Sequence, residues 1–89
     1  MKLNPNFVLR EIAGEAMLVP TGEISAKING FIAMNEVGAV IVKKLAEGCE
    51  MSDIVKALTD EFDVDEETAL RDSESFLKGL RENEVISDN

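Results

Sequence analysis

The chain has 89 residues, with 9 Lys and Arg against 18 Asp and Glu, and no His, Tyr or Trp. That length holds one domain around one modest core, and a hydrophobic share of 45% with no low-complexity tract marks a chain that folds. A net charge of -9 opposes binding to phosphate backbones or anionic lipid, and the lack of imidazole removes the commonest general base and metal ligand.

No stretch approaches the roughly 20 apolar residues of a membrane span. The opening Met1-Lys2-Leu3-Asn4-Pro5-Asn6 lacks the apolar centre of a secretory signal. Cys49 is the single cysteine, which excludes an internal disulfide. Together these point to a cytoplasmic protein. Following Gly48 with no cation beside it, Cys49 reads as a small packing residue rather than a reactive thiol.

The first elements are strands. Residues 7–12 and 15–20 are rich in strand formers and flank Ala13-Gly14, a tight turn in which Gly supplies positive φ. Ala16-Met17-Leu18-Val19 is apolar at successive positions, which predicts a strand covered on both faces, and Pro20 ends it. Thr21 to Asn29 reads as a loop, and residues 30–34 (Gly30, Phe31, Ile32, Ala33, Met34) as a third strand in a β-meander.

Helices follow. Asn35 is an N-cap with Glu36 in the first turn, and Val37, Val40, Ile41 and Leu45 give an apolar face over residues 36–47 before Gly48 stops the helix. Ser52 caps a second helix, 53–62, with Ile54, Val55, Leu58 and Phe62 as its stripe. Asp65 caps a third, 66–82, in which Ala69, Ser73, Phe76, Leu77 and Leu80 share a face with Leu70 beside it. Asn83 offers a left-handed stop, and Glu84-Val85-Ile86 forms a short strand or a plug on the core. The fold class is therefore α+β and winged-helix-like: three N-terminal antiparallel strands, three helices and a short C-terminal apolar segment.

A third strand placed at the edge of so small a sheet, beside a helix, is a slot for an extended peptide. Strand alternation sets Ile32 and Met34 on one face and Phe31 and Ala33 on the other; alternation leaves open which pair meets the core, and Met34, immediately before the helix cap, is the expected core member. On the third helix Arg71, Glu74, Lys78 and Arg81 share one flank, a local reversal of sign that can steer an acidic peptide. A solvated face is the competing reading, because Glu67 and Arg71, and Glu74 and Lys78, are spaced i,i+4 in the favourable order. Leu70 and Leu77 are groove walls or plain core. Ser73 leaves room for a ligand side chain or for close packing, and Ser75 faces water. The acids from Asp60 to Glu67 lack the glycine and ordered oxygen ligands of a calcium loop and read as caps and solvent-facing groups.

The chain resembles the PqqD-like family, named for pyrroloquinoline-quinone biosynthesis protein D and also called RiPP recognition elements, after the ribosomally made, post-translationally modified peptides they serve. The likeness rests on Phe7-Val8-Leu9-Arg10-Glu11-Ile12-Ala13-Gly14-Glu15, Leu18-Val19-Pro20 with Gly22, and Met34-Asn35-Glu36-Val37-Gly38-Ala39. Leu45 and Gly48, Ile54-Val55, Leu58, Glu61-Phe62-Asp63-Val64-Asp65, Asp72, Phe76-Leu77, Leu80 and Val85-Ile86 complete it. The resemblance implies a non-enzymatic peptide chaperone without a cofactor. It would hold the leader of a ribosomal precursor peptide beside the third strand and against the third helix, and present it to a modifying enzyme, often a radical S-adenosylmethionine maturase. The candidate contacts are then Gly30, Phe31, Ile32, Ala33 and Met34 with Leu70, Arg71, Ser73, Glu74, Leu77, Lys78 and Arg81. Some relatives exchange N-terminal strands, which makes a swapped homodimer an expectation here. The alternative is a winged-helix nucleic-acid-binding or regulatory protein, which the charge opposes; neither nucleic acid nor membrane is an expected partner.

Overall fold

A computed structural model describes residues 1–21 and 32–87. Five strands and three helices follow one another along it: β1 (Lys2–Leu3), β2 (Phe7–Ile12), β3 (Glu15–Pro20), β4 (Ile32–Met34), α1 (Glu36–Glu47), α2 (Met51–Glu61), α3 (Glu66–Glu82) and β5 (Ile86–Ser87). β2, β3 and β4 form an antiparallel sheet in that order, and β1 pairs with β5 in a separate two-stranded ribbon. The α+β plan of N-terminal strands followed by three helices is the one expected from the sequence. The expected loop after Thr21, and Gly30 and Phe31 of the expected third strand, lie outside the described residues.

The β2–β3 hairpin turns through Ala13 and Gly14, both at positive φ (54° and 82°). Two such residues make the turn whose twist matches the flanking strands. Pairing runs from Phe7 opposite Pro20 to Ile12 opposite Glu15. Ala16, Leu18 and Pro20 are buried, whereas Met17 and Val19 are only half-buried. The expectation of a strand covered on both faces is thus corrected: one face meets the helices and the other is partly open.

The core joins Phe7 and Leu18 of the sheet to Ile41, Val42 and Leu45 of α1, Ile54 and Leu58 of α2, Ala69, Leu77 and Leu80 of α3, and Val85. Val85 is the apolar plug, fully buried, and the next two residues pair with β1, so the C-terminal segment both plugs and pairs. β1 has too few residues for a periodic pattern to betray it. It is held by its ends: the Met1 ammonium donates to the Cys49 carbonyl at 2.7 Å, and the Asn4 amide donates to Val85 at 2.7 Å.

Two helix boundaries differ from expectation. α2 starts at Met51 with Glu50, not Ser52, as its cap, because Asp53 reaches back and accepts the Glu50 N–H at 2.9 Å. It ends at Glu61, and Phe62 is the C-cap. Beyond α3, Asn83 sits at φ -99°, and the left-handed residue is Glu84 at φ 60°. The Asn83 side chain instead donates to the Gly79 carbonyl at 2.9 Å, which places the reversal one residue later. No described helix is long and apolar enough to cross a membrane.

Candidate functional site at the β4 edge

β4 is the end strand of its sheet. Leu18, Met17 and Ala16 of β3 lie opposite Ile32, Ala33 and Met34 on one side, and among the described residues no strand pairs with the other side. Backbone donors and acceptors on such a side remain available to an added chain. Met34 is half-buried and packs on the core, as its place immediately before the helix cap leads one to expect.

The strand turns into α1 without a linker. Asn35 is extended (φ -77°, ψ 179°), and its Oδ1 accepts the Gly38 N–H at 2.8 Å, which satisfies one of the orphan donors of the helix start. α3 then closes on this corner. A methyl group at Gly38 would stand 3.1 Å from the Phe76 ring and 3.2 Å from Met34 Cβ, so glycine is what lets α1, β4 and α3 approach so closely. A cavity of about 340 Å³ opens beside this contact, lined by Asn35, Val37, Gly38, Asp72, Ser75 and Phe76 among others. It has an apolar floor with a carboxylate and a hydroxyl at the lip, suited to seating a side chain of an extended peptide.

The α3 residues singled out from sequence scatter around this helix. At about 100° per residue, Arg71 and Lys78 lie roughly 140° and 160° from Phe76, on the flank away from the β4 corner. Arg71, Glu74, Lys78 and Arg81 are all exposed, and neither Glu67–Arg71 nor Glu74–Lys78 closes to an ion pair. The Arg81 guanidinium donates to Met1 Sδ at 3.4 Å, beside the β1 ribbon. Leu70, 39% exposed, shares a groove with Met51 and Val55 of α2. Leu77 and Ser73 are fully buried and are packing residues, and Ser73 Oγ has no hydrogen-bond partner. Asp72, Ser75 and Gly38 line the cavity beside β4 and are not among the contacts expected from the sequence. Periodicity defines the inner face of α3, but not which of its flanks turns to the sheet and which to α2.

Elsewhere the chemistry is quiet. Burial is the main influence raising the Cys49 thiol above its ordinary range, against the nearby N-terminal ammonium, which lowers it, so thiolate chemistry is disfavoured. Among the described residues no three acids or thiols converge into a set able to hold a metal ion.

Comparison with known proteins agrees with this geometry. No curated protein sequence matches the chain. Two solved structures do. One, TbiB1 in complex with the TbiA(beta) leader peptide, is 28% identical with a TM-score of 0.82 and covers 100% of this chain and 98% of its own. The other, lasso peptide synthetase B1 complexed with the leader peptide, is 24% identical with a TM-score of 0.74 over 92% of this chain and 91% of its own, and at that identity it shows the fold alone. The family profile described as coenzyme PQQ synthesis protein D matches residues 8–86, and with that span of the sequence accounted for, the chain belongs to the PqqD family.

Proposed function

We propose that this protein is a RiPP recognition element: it binds the leader of a ribosomally made precursor peptide by adding the leader as a strand to β4, and holds it for a modifying enzyme. One observation carries the reading. An end strand with an unpaired side among the described residues runs directly into a corner where α1 and α3 leave a side-chain-sized cavity. Its likeness over the whole chain to a protein solved with a leader peptide supports the same assignment.

In this mode residues 30–34 supply main-chain partners, which give affinity, while Asp72, Ser75 and Phe76 select the side chain seated at the end of the strand. Ser73 and Leu77 set the position of the helix from within the core. Arg71, Lys78 and Arg81 act at a distance, locally offsetting the net charge of -9 and so favouring approach of an acidic leader. The protein brings no catalytic group of its own. The enzyme that acts on the held peptide is assigned to the radical S-adenosylmethionine class, the site of action is the cytoplasm, and a dimer formed by exchange of N-terminal strands belongs to the same reading.

Fluorescence anisotropy with labelled leader peptides from precursors encoded beside this chain tests the assignment. The expected result is saturable binding that weakens when the leader's own backbone is N-methylated within the paired segment, by about 3- to 10-fold for each hydrogen bond lost. Binding that ignores N-methylation at every position, or no binding at tens of micromolar protein, would sink it.

A further inference from the structure

A second groove lies under the sheet rather than along its edge. It is about 520 Å³ in volume, floored by Ala16 of β3, Met34 of β4, Val40 of α1 and Phe62 at the end of α2. Its rim carries Glu15, Glu36 and Glu61, all exposed, none of which makes an ion pair among the described residues. The cation on the rim, Lys43, is already held by Glu11 at 3.1 Å. Among the described residues none of α3 lines this groove, so a strand added along β4 and against α3 leaves it open; among the described residues the two sites meet at Met34 and Asn35.

We propose that this groove docks a basic, amphipathic segment of the protein that acts on the bound leader, with apolar side chains on the Met34–Val40–Phe62 floor and arginine or lysine against Glu15, Glu36 and Glu61. This inference rests on the leader-holding reading, because a module that holds one peptide for another protein needs a surface that the peptide does not occupy. Charge decides the occupant. A rim of unpaired carboxylates on a chain of net charge -9 repels a second copy of the chain, and equally an acidic segment, while it attracts a cationic one. The apolar floor supplies the part of the affinity that salt does not screen.

The probe is a roughly 15-residue helix-forming peptide with leucines on one face and arginines beside them, long enough to hold a helix. Its counterpart carries glutamate in place of arginine. Anisotropy is measured on the full chain with and without saturating leader peptide, and amide shifts map the contact. The arginine peptide is expected to bind with leader present, to shift Ala16, Ala39, Lys43 and Phe62, and to lose at least about tenfold in affinity in the Glu15→Gln, Glu36→Gln, Glu61→Gln variant. Leader affinity in that variant is expected to stay within about twofold, which shows the fold intact. Equal binding of the two peptides, an unchanged affinity in the triple variant, or displacement of the arginine peptide by leader would overturn the groove assignment. So would self-association of the chain that the triple variant abolishes, since it would give the groove to a second copy. Failure of the leader to bind the unmodified chain is read separately and strikes the leader-holding function.

Discussion

Ser73 is the residue whose chemistry fits its surroundings least. Its hydroxyl is fully buried on the inner face of α3 and lacks a hydrogen-bond partner, while its neighbours Ala69, Leu77 and Leu80 are apolar. An unsatisfied buried hydroxyl costs about 1–3 kcal/mol relative to a paired one, and alanine is the better helix former. Ser73→Ala is therefore expected to stabilise the fold by about 1 kcal/mol, a rise in Tm of about 4–8 °C for a domain of this size, read by thermal denaturation. A lower Tm would mean that the hydroxyl has a bonding role at this position. Gly38 makes the opposite case, a residue whose lack of a side chain is used. In Gly38→Ala the new methyl meets the Phe76 ring at 3.1 Å, and that ring is half-buried with room to yield. Helix propensity favours alanine by about 1 kcal/mol, but the methyl also meets Met34 Cβ at 3.2 Å, which is fixed to β4 and cannot swing aside, so a net loss of about 1 kcal/mol in stability is expected. Displacement of the ring into the cavity is expected to weaken leader binding by roughly tenfold, about 1.4 kcal/mol. Equal leader affinity of the variant and the unmodified chain would remove Phe76 from the proposed site.

At the scale of elements, α3 depends on its ends. The Asp65 carboxylate accepts the Thr68 N–H at 2.7 Å, and the Thr68 hydrogen bonds hold its pKa below the ordinary carboxylate range, with a smaller contribution from Arg71. A folded-state pKa below the unfolded one means that the native state binds fewer protons there. The cap's stabilisation is therefore complete above the unfolded value and disappears as pH falls through the folded one. Asp65→Asn, which keeps the capping geometry but cannot titrate, is expected to flatten the acid limb of the stability–pH curve below about pH 4, followed by urea unfolding at stepped pH. An acid limb identical to that of the unmodified chain would place the acid sensitivity elsewhere. The caps also show where local reading succeeds. Asn35 and Asp65 are legible because each is a good capping residue placed just before an apolar period, and in the structure each accepts the N–H at i+3. Glu50 is not legible as a cap because its partner, Asp53, does the reaching, and Ser52 has the stronger intrinsic capping propensity.

For the whole molecule, charge is the dominant long-range property. A net charge of -9 on 89 residues repels itself in the compact state, and the ion pairs Lys43–Glu11 and Lys44–Glu47 are exposed, so they offset little. Raising NaCl to about 0.5 M shortens the screening length well below 10 Å, and Tm is expected to rise by a few degrees as self-repulsion falls. A Tm that drops with salt would show that favourable ion pairs outweigh the repulsion. The same charge limits the partners: a chain added to β4 in the proposed mode pairs through uncharged backbone, whereas a nucleic-acid phosphate meets a surface on which acids outnumber cations 18 to 9. A winged-helix outline built from three helices and the β1–β5 ribbon is therefore not by itself a reason to expect DNA binding.

Much of this architecture was legible one segment at a time. The β2–β3 hairpin, the bounds of α1 and α3, the caps at Asn35 and Asp65 and the core roles of Leu18, Ile41, Leu45, Leu58 and Val85 follow from propensity and periodicity, which act within a few residues. What decided the site was long-range. Which flank of α3 turns toward β4 depends on how α2 packs against the other flank: Asp72, Ser75 and Phe76 line the cavity beside β4, while Arg71 and Lys78 stand on the far flank. The pairing of β1 with β5 joins residues more than 80 positions apart, and two-residue strands carry no period of their own. A linear pattern specifies which side of an element is apolar; only the packed molecule specifies which neighbour that side, and each of its shoulders, will meet.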